Sequence, residues 1–414
     1  MAGSREVGVA ATDGGGKGRS LKMLVAGLGA LTASSARGED TVDFKLLHYR
    51  ESDGRTEVTN PELYYLHDFG AKGQVGLLLG YDSISGASPT GEASTLDATA
   101  SASSAASAIP MANYSDTRQA ASLTYTNRFG SHLPAVTLSW SRESDYSSNG
   151  LSLVDGWDLF GGRSTLHLGV GATQDRIEPV TLTDSFSKKS VSFSAGWTQV
   201  LGPRDLLDLS FGVDRLNGYL TDPYKLVTVG GVAMPEARPE TRLRRTAVLK
   251  YGHYFMARSA LKTSYRYYWD DWAVKAHTLD LTYDQRIGSR WILTPRLRYY
   301  RQGSASFFGY EFNAPEREMS SDYRLSSFWS WLGGLELTME INDRVSVNFA
   351  ASYLDQTGID RVRPIRLPAV PLPSPTGALL EAEVEDDEGV GRPDLISPAD
   401  MTTLTGTLGF SIKF

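Results

Sequence analysis

From Thr41 onward the chain alternates apolar and polar residues with period two. Val136, Leu138 and Trp140 share one parity, as do Val191, Phe193, Ala195 and Trp197, and Leu207, Leu209, Phe211 and Val213. The pattern returns in Leu261, Thr263, Tyr265, Tyr267, Trp269, in Leu279, Leu281, Tyr283, and in Val345, Val347, Phe349, Ala351, Tyr353. Successive side chains of a strand point to opposite faces, so the alternation predicts strands with one apolar and one polar face. No sustained i, i+3, i+4, i+7 apolar stripe occurs, and no long helix is predicted.

About 16 strands result. The expected spans are 41–51, 56–69, 73–86, 116–130, 134–146, 150–160, 163–177, 188–201, 205–219, 241–257, 260–271, 274–287, 290–306, 323–341, 344–357 and 402–414. Most exceed the five or six residues usual in soluble sheets and match the roughly 9–11 that a tilted membrane strand needs. The connections alternate in length. Tight ones fall at Gly70, Ser131, Gly161, Gly202, Arg258, Gly288 and Asn342; long ones span 87–115, 178–187, 220–240, 307–322 and 358–401. Short exceptions on the long side lie near 52–55, 147–149 and 272. Long loops gathered at one end predict an all-β, antiparallel up-and-down transmembrane barrel, with short turns on the periplasmic side and long loops outside.

Parity then sorts the charges. Leu261, Tyr265, Tyr267 and Trp269 oppose Lys262, Ser264, Arg266 and Asp270, while Trp291, Leu293, Leu297 and Tyr299 oppose Arg296 and Arg298. An Arg or Lys on lipid at the midplane costs about 2–4 kcal/mol, so the charged parity is assigned to the lumen. The lumen-lining set is Asp208, Asp214, Arg244, Lys250, Lys262, Arg266, Asp280, Asp284, Arg286, Arg296, Arg298 and Glu336. Both signs are present, which fits either an ion-pair network that fills the interior or a wet, ion-selective channel. Tyr and Trp gather toward strand ends, as interfacial girdles do.

Composition narrows the class. Mean hydropathy is −0.25 and no apolar run reaches helix-spanning length, so membrane residence would have to be as a barrel. The formal charge of −7 excludes a nucleic-acid binder. With no cysteine, disulfides, thiolate metal sites and a Cys nucleophile are absent. At the N-terminus, basic Arg5, Lys17, Arg19 and Lys22 precede the apolar Met23–Ala33 and a small-residue site at Ala36. Residues 1–36 are expected to be a signal peptide and 37–414 a single barrel domain.

Candidate chemistry is sparse. Asp270 and Asp271 with His277 are the one acid–His constellation that could do general acid–base work or hold a metal, set against a plain hairpin tip. The six histidines lack HxH or HxxxH spacing, and GxSxG, GxGxxG and P-loop motifs are missing, so no catalytic residue, metal or cofactor is assigned. The Ser/Ala/Thr-rich 87–115 reads as a flexible loop or a cap folding into the mouth. The Pro-rich 362–377 reads as extended backbone and the acidic 381–394 as a solvated charge run.

The segments "SRESDYSSNGLSL" (141–153), "LNGYLTDPYK" (216–225) and "SYRYYWDDWAVKAHTLDLTYDQRIGSRWILTPRLRYYRQGSASFF" (264–308) resemble a proteobacterial family described only as a domain of unknown function. That family is regarded as an outer-membrane β-barrel, and its members more commonly carry glycine where this chain has Ala273. Its genes lie near those of thioredoxin-like and flavin-transferase proteins, so the resemblance implies a periplasmic redox partner. It supplies no catalytic residues.

The expectation is therefore a non-enzymatic barrel in the outer membrane of a Gram-negative bacterium, a pore or a scaffold, with lipid and the barrel-assembly machinery as partners. The C-terminal "TLTGTLGFSIKF" sets Leu404, Leu408, Phe410, Ile412 and Phe414 on one parity. Phe410, Ile412 and Phe414 are read as the assembly signal, and this strand as the one that closes on residue 41.

Overall fold

The computed structural model describes residues 39–70, 73–92, 95–96, 109–255, 258–362, 365–366 and 396–414. The expected signal peptide (1–36), residues 93–94 and 97–108 of the Ser/Ala/Thr-rich loop, most of the Pro-rich segment and all of the acidic run lie outside them.

Sixteen antiparallel strands pair in sequence order and close into one barrel. They are β1 (Thr41–Glu51), β2 (Glu57–Asp68), β3 (Gln74–Pro89), β4 (Met111–Thr126), β5 (Ala135–Arg142), β6 (Tyr146–Leu159), β7 (Ser164–Ile177) and β8 (Phe186–Gly202). The second half comprises β9 (Asp205–Gly218), β10 (Thr241–Phe255), β11 (Ser259–Asp270), β12 (Lys275–Ile287), β13 (Trp291–Gln302), β14 (Phe328–Glu340), β15 (Val345–Gly358) and β16 (Met401–Lys413). Closure is direct: β1 pairs with β16 from Thr41↔Lys413 to Glu51↔Thr403. A closed cylinder leaves no ladder edge unpaired. An even strand number puts both chain ends of the barrel at one rim, the one that carries the short turns.

The boundaries at three connections differ from the alternation. β3 runs on to Pro89 and β4 starts at Met111, because the ladder continues through Pro89↔Met111 beyond the expected loop borders. β5 stops at Arg142 and the turn is 143–145, where the Glu143 N–H donates to the Tyr146 carbonyl; the expected turn near 147–149 lies inside β6. β13 ends at Gln302 and β14 begins at Phe328, short of the expected 306 and 323. There Ala305, Phe307, Tyr323 and Leu325 leave the wall and become buried among one another and their neighbours, although their spacing still alternates.

Register propagates one parity around the whole wall. One face carries large apolar side chains that are openly exposed, Val191 at 60% and Phe349 at 58% among them. A monomeric soluble protein rarely shows an apolar surface of this extent. The other face is polar. It holds charges that act across strands that are not neighbours: Arg286 on β12 pairs with Glu340 on β14, and Lys45 on β1 is within electrostatic reach of Glu336 and Arg296. Only the concave side brings such strands together, so the polar face is the inner one.

Candidate functional site: the capped mouth

At the rim opposite the turns, connections fold into the barrel. The β9–β10 connection forms Leu226–Val229 and Val232–Pro235, a two-stranded ribbon. Glu311–Phe312 of the β13–β14 connection adds to it in parallel. Val227, Val229 and Met319 bury themselves in this small sheet. A second cluster gathers Trp272, Val274, Ala305, Phe307 and Leu325 against the inward-facing Tyr268 and Ala276. A third sets Tyr323 and Ala399 against Phe328 and Met401. The buried apolar clusters of the described residues thus sit in the mouth, as a small globular core inside a polar cylinder.

The cap enters through Gly218, whose φ of +115° is open to glycine and whose Cβ, if present, would collide with the Ser187 carbonyl. Beyond it, the block Tyr219–Lys225 supplies the cap's fastenings. The Lys225 Nζ donates to Ser88 Oγ at 2.6 Å and to the Pro89 carbonyl, and the Leu226 N–H donates to the Thr90 carbonyl at 2.8 Å. Strand β3 lies almost across the barrel from β9 and β10, so this staple spans the opening. Tyr224 Oη donates to Asp145 at 2.5 Å and ties the same block to the β5–β6 turn.

Beneath the staple lies a buried cluster of three acids and three bases: Asp222, Glu236, Asp322, Lys225, Arg238 and Arg324. Arg324 Nη2 stands 2.9 Å from Asp222 and 2.7 Å from Asp322. Arg238 stands 2.6 Å from Glu236 and 2.8 Å from Asp322. Ser320 Oγ donates to Glu236, and the Asp222 N–H donates to the same carboxylate. Burial pushes the Asp322 carboxyl up, but Arg324 and Arg238 outweigh it and hold the acid well below its ordinary range. Glu236 goes the other way: burial raises it more than Arg238 lowers it. Lys225 falls to about 8, through burial first and Arg324 second, with the three acids opposing. Removing one partner from such a buried set leaves an uncompensated charge and costs about 3–5 kcal/mol.

The wall around the cap is shielded from solvent. Every strand but β5 contributes a buried inner-face residue, from Glu51 and Asp82 through Asp175, Lys188, Asp214 and Asp270 to Gln356 and Thr403. Near the turn rim, inner side chains are open by comparison: Lys262 is 48% exposed and Lys250 is exposed as well. Among the described residues, inner side chains are thus more buried toward the loops and more exposed toward the turns.

The charged positions assigned from sequence to the lumen all share the inner face through the registers of β9 to β14. Asp280 takes both Arg296 (3.0 Å) and Arg298 (2.7 Å), Lys262 pairs with Asp284 at 2.7 Å, and Arg286 pairs with Glu340. Asp208 accepts from Thr198 and lies opposite Lys250; Asp214 lies opposite Arg244; Glu336 accepts from Asn348; Arg266 lies over the Tyr268 ring. Phe410 and Ile412 sit on the outer face, and the Phe414 backbone pairs with Asp40.

Asp270, Asp271 and His277 do not form a site. Asp270 is buried on the inner face, accepting from Arg242 (2.5 and 2.8 Å), Tyr268 Oη, and the N–H groups of Trp272 and Val274. Asp271 accepts from the Leu243 N–H, while His277 belongs to the outer face and bonds Tyr265 Oη at 2.7 Å. The wall of the barrel divides Asp270 from His277. Asp270 instead organises a turn in which Ala273 takes φ +69°, the left-handed region where glycine is at ease. Among the described residues, Asp116, Glu143 and Asp145 are the acids gathered closely enough to hold a cation, at the loop rim.

Sequence reasoning missed the cap cluster, whose partners lie about a hundred residues apart and carry no periodic signal. It also missed two recurrences of Tyr-x-His-x-Phe, at Tyr65–Phe69 and Tyr251–Phe255, which period-two spacing on the apolar parity makes visible.

Fold and site together define a closed antiparallel barrel with a folded cap. The chain belongs to the family described as "Protein of unknown function (DUF3570)", whose model matches residues 22–363. No curated protein matches the chain. Among solved structures it is similar to the siderophore receptor PirA from Pseudomonas aeruginosa (8% identity, TM-score 0.43, 91% of this chain and 62% of that one). It therefore spans less than two thirds of the receptor's length. It is also similar to a bacterial polysaccharide outer membrane secretin (7%, 0.46, 92% and 100%) and an anion-selective porin from Comamonas acidovorans (11%, 0.37, 92% and 100%).

Proposed function

We propose that this protein is a non-enzymatic outer-membrane barrel, closed on the loop side by its own cap, that serves as a membrane-embedded scaffold facing the periplasm. The observation that carries this reading is the staple from Lys225 to Ser88 and Pro89 above the buried Asp222–Arg324–Asp322–Arg238–Glu236 cluster. A standing pore needs an open path, whereas here the inner wall beside the cap is buried on nearly every strand. Membrane residence is supported by the exposed apolar outer face set against a charged inner one, since lipid replaces water only on a surface without midplane charge. The inner charges line the vestibule open to the turn side. The assembly machinery would read Phe410, Ile412 and Phe414, and a periplasmic partner, of the redox kind that the family resemblance implies, would dock at the turn rim.

Planar-bilayer recording tests this. Wild-type protein is expected to give no steady conductance, and Arg324→Ala with Lys225→Ala is expected to open one. Steady ohmic current through the wild type would overturn the scaffold reading in favour of a porin.

A further inference from the structure

Three outward-facing constellations recur at the turn rim, each a carboxylate that fixes an imidazole beside aromatic rings. In the first, His67 Nδ1 lies 2.7 Å from Asp40 Oδ2, Tyr65 Oη donates to the same oxygen at 3.0 Å, and Phe69 meets the imidazole edge-on at 4.3 Å. In the second, His253 Nδ1 lies 2.6 Å from Asp205 Oδ1, Tyr251 Oη donates to it at 2.5 Å, and Phe255 stands edge-on at 4.5 Å. In the third, His132 Nδ1 lies 2.9 Å from Asp155 Oδ2, the Trp157 indole N–H donates to that oxygen at 2.5 Å, and the two rings are edge-on at 5.6 Å.

Their placement is regular. The first spans β1 and β2, the third sits at β5 and β6, and the second spans β9 and β10, so successive ones stand four strands apart over the first ten strands. They take three of the six histidines. Each side chain is partly exposed, with the imidazoles at 40%, 49% and 29%. An ion pair at such exposure adds at most about 1 kcal/mol of stability, which is little reason for the same arrangement to occur three times. What the arrangement does fix is the imidazole: with Nδ1 held by the carboxylate, Nε2 is the nitrogen turned away from it. The neighbouring rings Phe69, Phe129 and Phe255 are themselves exposed, as interfacial anchors are.

We propose that these are three headgroup sites for an amine-bearing phospholipid of the turn-side leaflet. In the lipid-bound state the imidazole carries both protons, Nδ1–H donating to its carboxylate and Nε2–H to a phosphodiester oxygen. The carboxylate and the faces of the aromatic rings take the lipid ammonium. A phosphate with an ammonium two carbons away complements the adjoining cation and anion of each constellation. The proposal rests on the membrane reading above.

Native mass spectrometry of the delipidated barrel, titrated with phosphatidylethanolamine and separately with diacylglycerol, tests it. The wild type is expected to retain up to three phosphatidylethanolamine molecules and no diacylglycerol. His67→Phe, His132→Phe and His253→Phe should each retain one fewer, and the triple variant none. Folding is checked by heat-modifiable migration, and if the triple variant does not fold, the single variants carry the test. A folded variant series with the wild-type lipid count overturns the proposal, as does equal retention of diacylglycerol. Protease protection after mixing with phosphatidylethanolamine vesicles separates the two readings. Failure to insert defeats the membrane reading, whereas insertion with unchanged lipid counts defeats the headgroup sites alone.

Discussion

Asp40 and Phe414 exchange two backbone hydrogen bonds, each N–H donating to the other's carbonyl at 3.0 Å. They extend the β1–β16 ladder one step past Thr41↔Lys413, so the last residue is part of the seam that closes the cylinder. Deleting Phe414 removes this final pair and an exposed rim aromatic. The expected outcome is a severalfold lower yield of heat-modifiable barrel, measured in outer-membrane fractions, with the protein that does fold behaving as wild type.

Asp270→Asn leaves the Arg242 guanidinium buried without its counter-charge, under the Trp272 ring that stacks 4.1 Å away. The expected loss is about 3–5 kcal/mol, read from unfolding in urea on vesicles. His277→Ala, on the other face, should change stability by no more than about 0.5 kcal/mol. A metal site would instead make both variants, and chelator treatment, alike.

Ala273 holds a left-handed backbone in the turn that Asp270 organises. Ala273→Gly relieves a strain of about 1 kcal/mol and should raise the unfolding midpoint.

Lys225 gives the cap a pH dependence. Its ordinary value is 10.5 and burial brings it to about 8, so between these values the folded protein has released a proton that the unfolded chain keeps. Stability therefore rises with pH across that window, by up to about 3 kcal/mol, given about 1.4 kcal/mol for each unit between 10.5 and 8. Below pH 8 both states are charged and the gain is absent. Melting curves from pH 7 to 11 should show the rise in wild type and lose it in Lys225→Met.

The barrel was legible because an apolar outer face and a polar interior impose opposite demands on adjacent residues. Val191, Phe193 and Trp197 alternate with Ser192, Ser194 and Thr198, and the structure pairs them across β7 and β9 accordingly. Closure by the last strand was legible for the same reason. The cap was not, because its chemistry is set by tertiary pairing: nothing local in "YLTDPYK" says that Asp222 will meet Arg324 or that Lys225 will reach Ser88. The same cause misplaced the ends of β13 and β14, since Ala305 and Tyr323 continue the alternation by composition while they pack into the buried clusters of the mouth. The Asp270–His277 pairing was suggested by nearness in sequence, and strand parity, applied to those two residues as it was to the charges, would have separated them.

The cap also joins distant parts of the chain. Its staple joins Lys225 to Ser88, its charge cluster joins Asp222 to Asp322, and the Thr402 N–H reaches Ser52 beside it. These partners come from the early, middle and late thirds of the chain, so the full set of fastenings ties all three thirds to one another. The cap is therefore complete only when residues from all three thirds of the chain are in place together.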